Sequence, residues 1–163
     1  MHISIYSVGG TIDKVYFDKL SEYMVGGPSV RDILKNLNLN FTYSVYSVLR
    51  KDSLDMTDTD RNKVFKRIGA DRNDRILVTH GTDTMIQTAR VLSKIKGKTI
   101  VLTGAMEPAG FKTSDATFNI GFALAGVHSL KRGVYIAMNG AFFRPEEVEK
   151  NRKRKMFVGI KKI

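Results

Sequence analysis

Five short runs rich in β-branched residues recur along the chain, and stretches with a helical apolar pattern lie between them. The runs are Ile3 to Val8, Tyr43 to Leu49, Arg75 to Thr79, Thr99 to Thr103 and Val134 to Met138. "PSVRDILKNLN" opens with Pro28 and sets Val30, Ile33, Leu34 and Leu37 on one face, the spacing of an amphipathic helix. "MTDTDRNKVFKRIGA" starts at Thr57, with Asp60 where a capping box places its acid, and stacks Val64, Phe65 and Ile68. "DTMIQTARVLSKIKG" repeats Met85, Ala89, Leu92 and Ile95 and predicts a helix ending at Gly97. "SDATFNIGFALAGVHSL" is apolar over most of its circumference and predicts a well-buried helix. Alternation of this kind predicts an α/β fold, a three-layer, doubly wound, mainly parallel sheet with helices on both faces.

Right-handed crossovers bring the strand C-terminal ends to one edge, where ligands bind in open α/β sheets. After the first strand come Gly9-Gly10-Thr11, and after the second "RKDSLD", residues 50–55. "HGTDTM" (80–85), "GAMEPAG" (104–110) and "NGAFFRPEEVEK" (139–150) follow the other three. The strand ends alone therefore gather Thr11, Ser53, Thr82, Asp83 and Lys150 around one crevice.

A threonine hydroxyl is a weak nucleophile until a base takes its proton, and a lysine amine in its neutral form can be that base. Two threonines beside a lysine and an aspartate point to acyl transfer rather than metal or redox chemistry. The doubled glycine is either a simple turn or a gap through which a substrate carbonyl reaches Thr11. It is not the G-x-G-x-x-G of a dinucleotide site, and no P-loop lysine follows it. His80 is expected to be structural, satisfying backbone groups at its turn. The connection from Thr11 to Gly27 exceeds the roughly 2–6 residues usual between strand and helix. It carries Asp13, Tyr16, Phe17 and Tyr23 and reads either as a lid or as a loop docked permanently on the surface.

With 163 residues the chain suits one well-filled domain, residues 1–163. Its lack of cysteine excludes disulfides, thiol nucleophiles and cysteine-ligated metals and fits a cytoplasmic location. No apolar run approaches the roughly 20 residues of a membrane helix, and no secretory leader is expected. The net charge of +11 peaks in "EKNRKRKMFVGIKKI". Without zinc-finger spacing, an RNA-binding aromatic motif or a repeat, that stretch reads as a solvated, partly mobile terminus, and nucleic acid is not an expected partner.

"GGTID" at the N-terminus, "THGTDTM" at 79–85 and "VLTGAMEP" at 101–108 together resemble the bacterial-type asparaginase family. The resemblance runs over essentially the whole chain, but only to that family's flavodoxin-like N-terminal domain, as in its short, single-domain branch. It implies hydrolysis of L-asparagine to L-aspartate and ammonia through a threonyl ester, with no metal or organic cofactor. On the resemblance, Thr11 is the nucleophile, Tyr23 the lid tyrosine, and Asp52-Ser53 the grip on the substrate carboxylate. Thr82, Asp83 and Lys150 form the second threonine set, and Asp83 also receives the α-ammonium. Gly10 and the backbone of Ala105 line the scissile amide. Longer members continue into a C-terminal domain; on the resemblance to the short branch this protein is expected to be without it, so a neighbouring copy in a homo-oligomer is expected to complete the pocket, or substrate is held weakly. Glutamine is the expected side substrate. The alternatives are an amino-acid-binding module without catalysis and the amidase part of a tRNA-dependent amidotransferase.

Overall fold

Strand β1 (His2–Gly9) alternates its side chains between two apolar layers and is buried along nearly its whole length. It runs into a 3-10 turn over Thr11–Asp13 and then into a hairpin of β2 (Lys14–Phe17) and β3 (Glu22–Val25). Helix α1 (Ser29–Lys35), β4 (Thr42–Lys51), a second 3-10 turn over Ser53–Asp55 and α2 (Asp58–Gly69) follow. Next come β5 (Arg75–Thr79), α3 (Met85–Leu92), β6 (Thr99–Thr103), α4 (Ala116–Ser129), β7 (Gly133–Met138) and β8 (Ala141–Phe143). A hairpin of β9 (Val148–Asn151) and β10 (Met156–Gly159) is last among the described residues. The computed structural model describes residues 1–17 and 22–160.

The main sheet has the order β4-β1-β5-β6-β7-β8. Its first five strands are parallel and β8 is antiparallel to β7. Helices α2 and α3 cover one face through Val64, Ile68, Met85, Ala89 and Leu92. Helices α1 and α4 cover the other through Val30, Leu34, Ile120, Ala123 and Val127. Each of the larger fully buried aliphatic side chains contributes about 1.5–3 kcal/mol relative to exposure. The expected three-layer α/β architecture is therefore what forms. The chain winds from β1 outward to β4 and then returns to β5 on the other side. The topological switch point thus lies between the ends of β1 and β5, where such folds open a crevice.

Local chemistry explains the helix ends. The Thr57 hydroxyl accepts from the Asp60 amide at 3.2 Å, and the Asp60 carboxylate accepts from the Thr57 amide at 3.0 Å. That capping box starts α2, and the Thr57 amide with the Lys51 ammonium pulls the Asp60 carboxyl down to about 2. Helix α3 stops at Leu92, short of the predicted Gly97. The Ser93 hydroxyl donates to the Ala89 carbonyl at 3.0 Å, and the chain then turns, with the Ile95 amide on the Leu92 carbonyl. Gly97 does take a left-handed conformation, beyond the helix.

The basic C-terminal stretch, expected as a partly mobile terminus, is instead the β9–β10 hairpin as far as the described residues reach. Val148 and Phe157 sink into the core beside Met138 and Ile136, so two apolar anchors hold an otherwise charged ribbon. Among the described residues no helix is long and apolar enough to cross a membrane.

Candidate active site

Three strand ends meet so closely that two of them touch through bare backbone. A Cβ on Gly10 would stand 2.2 Å from the Gly81 Cα, and one on Gly81 would stand 2.6 Å from the Ser53 hydroxyl oxygen. Gly10 has φ of 93°, a conformation that side chains resist. These glycines therefore let the turns after β1, β4 and β5 stack on one another. The structure gives Gly10 that packing role and a hydrogen bond from its amide to the Lys51 carbonyl at 2.9 Å.

Thr11 opens the 3-10 turn directly after this contact. Asp13, fully buried two residues on, anchors the turn. Its carboxylate accepts from the Ser7 hydroxyl at 2.7 Å and from the Ser29 amide at 2.8 Å. Burial pushes the Asp13 carboxyl above the ordinary aspartate range, against the pull of those hydrogen bonds. Asp13 thus ties the turn bearing Thr11 to β1 and to the start of α1. Sequence reasoning placed it only within a long loop, although an acid so close to the strand end was the available signal.

Thr82 and Asp83 follow β5, and Lys150 reaches them from β9. The Lys150 ammonium donates to the Thr82 Oγ1 at 2.7 Å and to the Asp83 Oδ1 at 2.9 Å. Side-chain exposure is 16% for Lys150 and 29% for Asp83, so the pair is shielded yet open to a small ligand. The Arg152 guanidinium stands 3.6 Å from the same Asp83 oxygen. Thr11, Thr82, Asp83 and Lys150, together with Met106, Arg152 and Lys155, line a pocket of about 220 Å³.

The other predicted residues lie around this group rather than in it. Ser53 is buried, and its carbonyl accepts from the Thr84 hydroxyl at 2.7 Å. Asp52 accepts from the Leu54 amide at 3.1 Å and pairs with Lys14 of β2 at 2.7 Å. Partial burial alone would raise the Asp52 carboxyl. The Lys14 ammonium and the neighbouring amides outweigh it and hold the group below its usual value. Ala105 is fully buried, next to Met106, whose amide donates to Asp115 at 2.9 Å. Tyr23 sits on β3 of the hairpin, 51% exposed, with its ring 5.5 Å from that of Tyr16 and 6.1 Å from that of Phe111.

His80 is fully buried behind the pocket. Its Nδ1 lies 2.8 Å from the Gly81 carbonyl oxygen, which can only accept, so Nδ1 carries the proton. Nε2 then accepts from the Thr88 hydroxyl at 2.8 Å. Burial drives the imidazole down to about 4, and it serves as a neutral strut between β5 and α3. Among the described residues no group of three or more His, Asp or Glu side chains gathers where it could hold a metal ion. A hydroxyl–amine–carboxylate set beside a second hydroxyl can activate an alcohol or a water against an amide carbon.

The family model described as Asparaginase, N-terminal, matches residues 2–158. L-asparaginase 2 of Escherichia coli (strain K12) is 31% identical over 160 residues, covering 91% of this chain and 46% of that protein. The thermostable L-asparaginase from Thermococcus kodakarensis has the same fold, with a TM-score of 0.86 at 24% identity over 98% of this chain and 51% of that one. A probable cytoplasmic L-asparaginase from Campylobacter jejuni matches with a TM-score of 0.76 at 29% identity, covering 97% and 51%. The chain spans about half the length of the curated relatives it matches.

Proposed function

The chain belongs to the asparaginase family, and from that premise we propose that it is an amidohydrolase converting L-asparagine to L-aspartate and ammonia. The observation that carries the reading is the Lys150–Thr82–Asp83 set opening into the same pocket as Thr11. In the proposed reaction the Thr11 oxygen adds to the side-chain amide carbon and its proton passes to the amide nitrogen. The C–N bond breaks and ammonia leaves, with the aspartyl group held as an ester. Water then adds to the ester carbon while its proton is relayed through the Thr82 hydroxyl and Lys150 to the departing Thr11 oxygen, so aspartic acid leaves, ionising in solvent, and Thr11 and Lys150 are both restored. Asp83 orients Lys150.

The hairpin of β2 and β3 is the lid in this reading. Closure over bound substrate would bring Tyr23 toward Thr11 and take half-exposed rings out of water. The Lys14–Asp52 ion pair joins the hairpin to the turn after β4, so that turn and Ser53 steady the lid from below. Glutamine carries one methylene more, a difference worth about 1–3 kcal/mol in a fitted pocket, so it is the expected slower substrate.

Ammonia release from asparagine and from glutamine, with wild type beside Thr11→Ala, tests the proposal. Wild type should release ammonia from asparagine, and the variant should release none while its unfolding free energy stays within about 0.5 kcal/mol, because only a turn methyl and hydroxyl are removed. Undiminished turnover by the variant would move the nucleophile elsewhere.

A further inference from the structure

The pocket is more cationic than recognition of a neutral amino acid requires. Lys150, Arg152 and Lys155 line it against a single carboxylate, Asp83, among the described lining residues. That carboxylate is already engaged by Lys150 at 2.9 Å and approached by Arg152 at 3.6 Å. Both contacts are to Asp83 Oδ1, so a substrate ammonium arriving at Oδ2 would share the carboxylate with two cations and meet a third in the pocket lining. The Lys155 ammonium has no ion-pair partner among the described residues.

The two extra cations come from the turn between β9 and β10, and the turn is built to hold them. The Asn151 side chain accepts from the Arg154 amide at 2.9 Å, and the Lys155 amide donates to the Arg152 carbonyl at 3.3 Å. The Phe157 amide donates to the Asn139 side chain at 2.9 Å, docking the ribbon against the end of β7. Lys155 has φ of 49°, a left-handed conformation uncommon for lysine and ordinary for asparagine or glycine. Of four consecutive basic residues, Arg152 and Lys155 line the pocket, whereas Lys153 and Arg154 do not. Asp52 and Ser53, the residues that resemblance makes the carboxylate grip, do not line it either.

We propose that Arg152 and Lys155 form a carboxylate-binding arm, so that the site takes monoamides of dicarboxylic acids and has no need of an α-ammonium on them. This rests on the amidohydrolase reading and defines its substrate class by the carboxylate rather than the α-ammonium. The guanidinium offers a carboxylate two parallel donors, and Lys155 supplies a second charge across the turn.

The test uses asparagine and succinamate, which is asparagine without its α-amine, against wild type, Arg152→Gln, Lys155→Asn and the same-turn controls Lys153→Gln and Arg154→Gln. Asparagine at position 155 keeps the left-handed backbone favourable, so the turn is retained. Wild type should turn over both substrates with kcat/KM within about tenfold of each other. Arg152→Gln and Lys155→Asn should each raise KM about tenfold for both, with kcat nearly unchanged. The controls should shift KM by no more than about twofold, which separates the arm from the general field of a basic protein. Succinamate turned over about a hundredfold or more slower than asparagine would overturn the proposal, as would unchanged KM in the two arm variants.

Succinate binding, measured by calorimetry on the same proteins, separates this inference from the reaction it rests on. If no amide is hydrolysed, the amidohydrolase reading fails. Succinate affinity lost in Arg152→Gln and Lys155→Asn but kept in the controls would still uphold the arm. Equal affinity in all five proteins would overturn it.

Discussion

Lys150 is the side chain on which the most site chemistry converges, since one nitrogen bridges a threonine hydroxyl and a carboxylate. Lys150→Met keeps the length of the stem and removes that bridge. Asp83 would retain Arg152 as a nearby counter-charge, so the variant should fold. Steady-state ammonia release should fall by about a hundredfold or more, the usual contribution of a positioned acid or base. Activity within a few-fold of wild type would remove the lysine from the mechanism. Thr82 and Asp83 were legible in the sequence because "HGTDTM" follows an unmistakable strand. Asp13 was not legible as an anchor, because its partners Ser7 and Ser29 lie on different elements and nothing in local spacing joins them. Arg152 and Lys155 were visible only as positive charge, and their direction depends on a turn that composition does not reveal.

At the level of elements, the five parallel strands and four helices follow from apolar periodicity, whereas both hairpins escape it. Strands β9 and β10 have four residues each, too few for alternation to stand out, and most of their side chains are charged or half exposed. What makes them a ribbon is the burial of Phe157, which pairs in register with Lys150. Phe157→Ala should lower the unfolding free energy by about 3–5 kcal/mol, the range for emptying a fully buried aromatic site. Urea denaturation checks this. Ammonia release should fall as well, although no residue of the pocket has changed, because the platform holding Lys150, Arg152 and Lys155 loses its anchor. The β2–β3 hairpin escapes for a related reason: Val15, Tyr16, Tyr23 and Met24 are all about half exposed, so its apolar residues mark no buried face.

Across the whole molecule, the crevice owes its position to the reversal of winding between β4 and β5 around β1, and His80 is a buried strut behind it. His80 titrates near 4 when folded and near its ordinary 6.5 when unfolded, so the unfolded chain binds the additional proton between those values. Its contribution to stability is complete above 6.5 and declines by about 3 kcal/mol as pH falls to 4. Asp13 acts in the opposite sense, because its raised folded pKa favours the folded state as pH falls. The lowered carboxyls of Asp52 and Asp60 act in the same sense as the histidine at lower pH, so contributions of both signs overlap and the ring must be observed directly. NMR should find His80 still neutral, with the proton on Nδ1, at pH 5; a midpoint near 6.5 would remove it from the buried strut role. The sequence by itself determined the layer order and the edge where chemistry collects, because short-range periodicity and the handedness of crossovers are local properties of the chain. Only the tertiary structure decided which of the residues gathered there share the pocket, leaving Ser53 out and bringing Arg152 and Lys155 in. Contacts such as Lys150 with Thr82, or Gly10 against Gly81, join positions far apart along the chain, and their geometry exists only once the layers have packed.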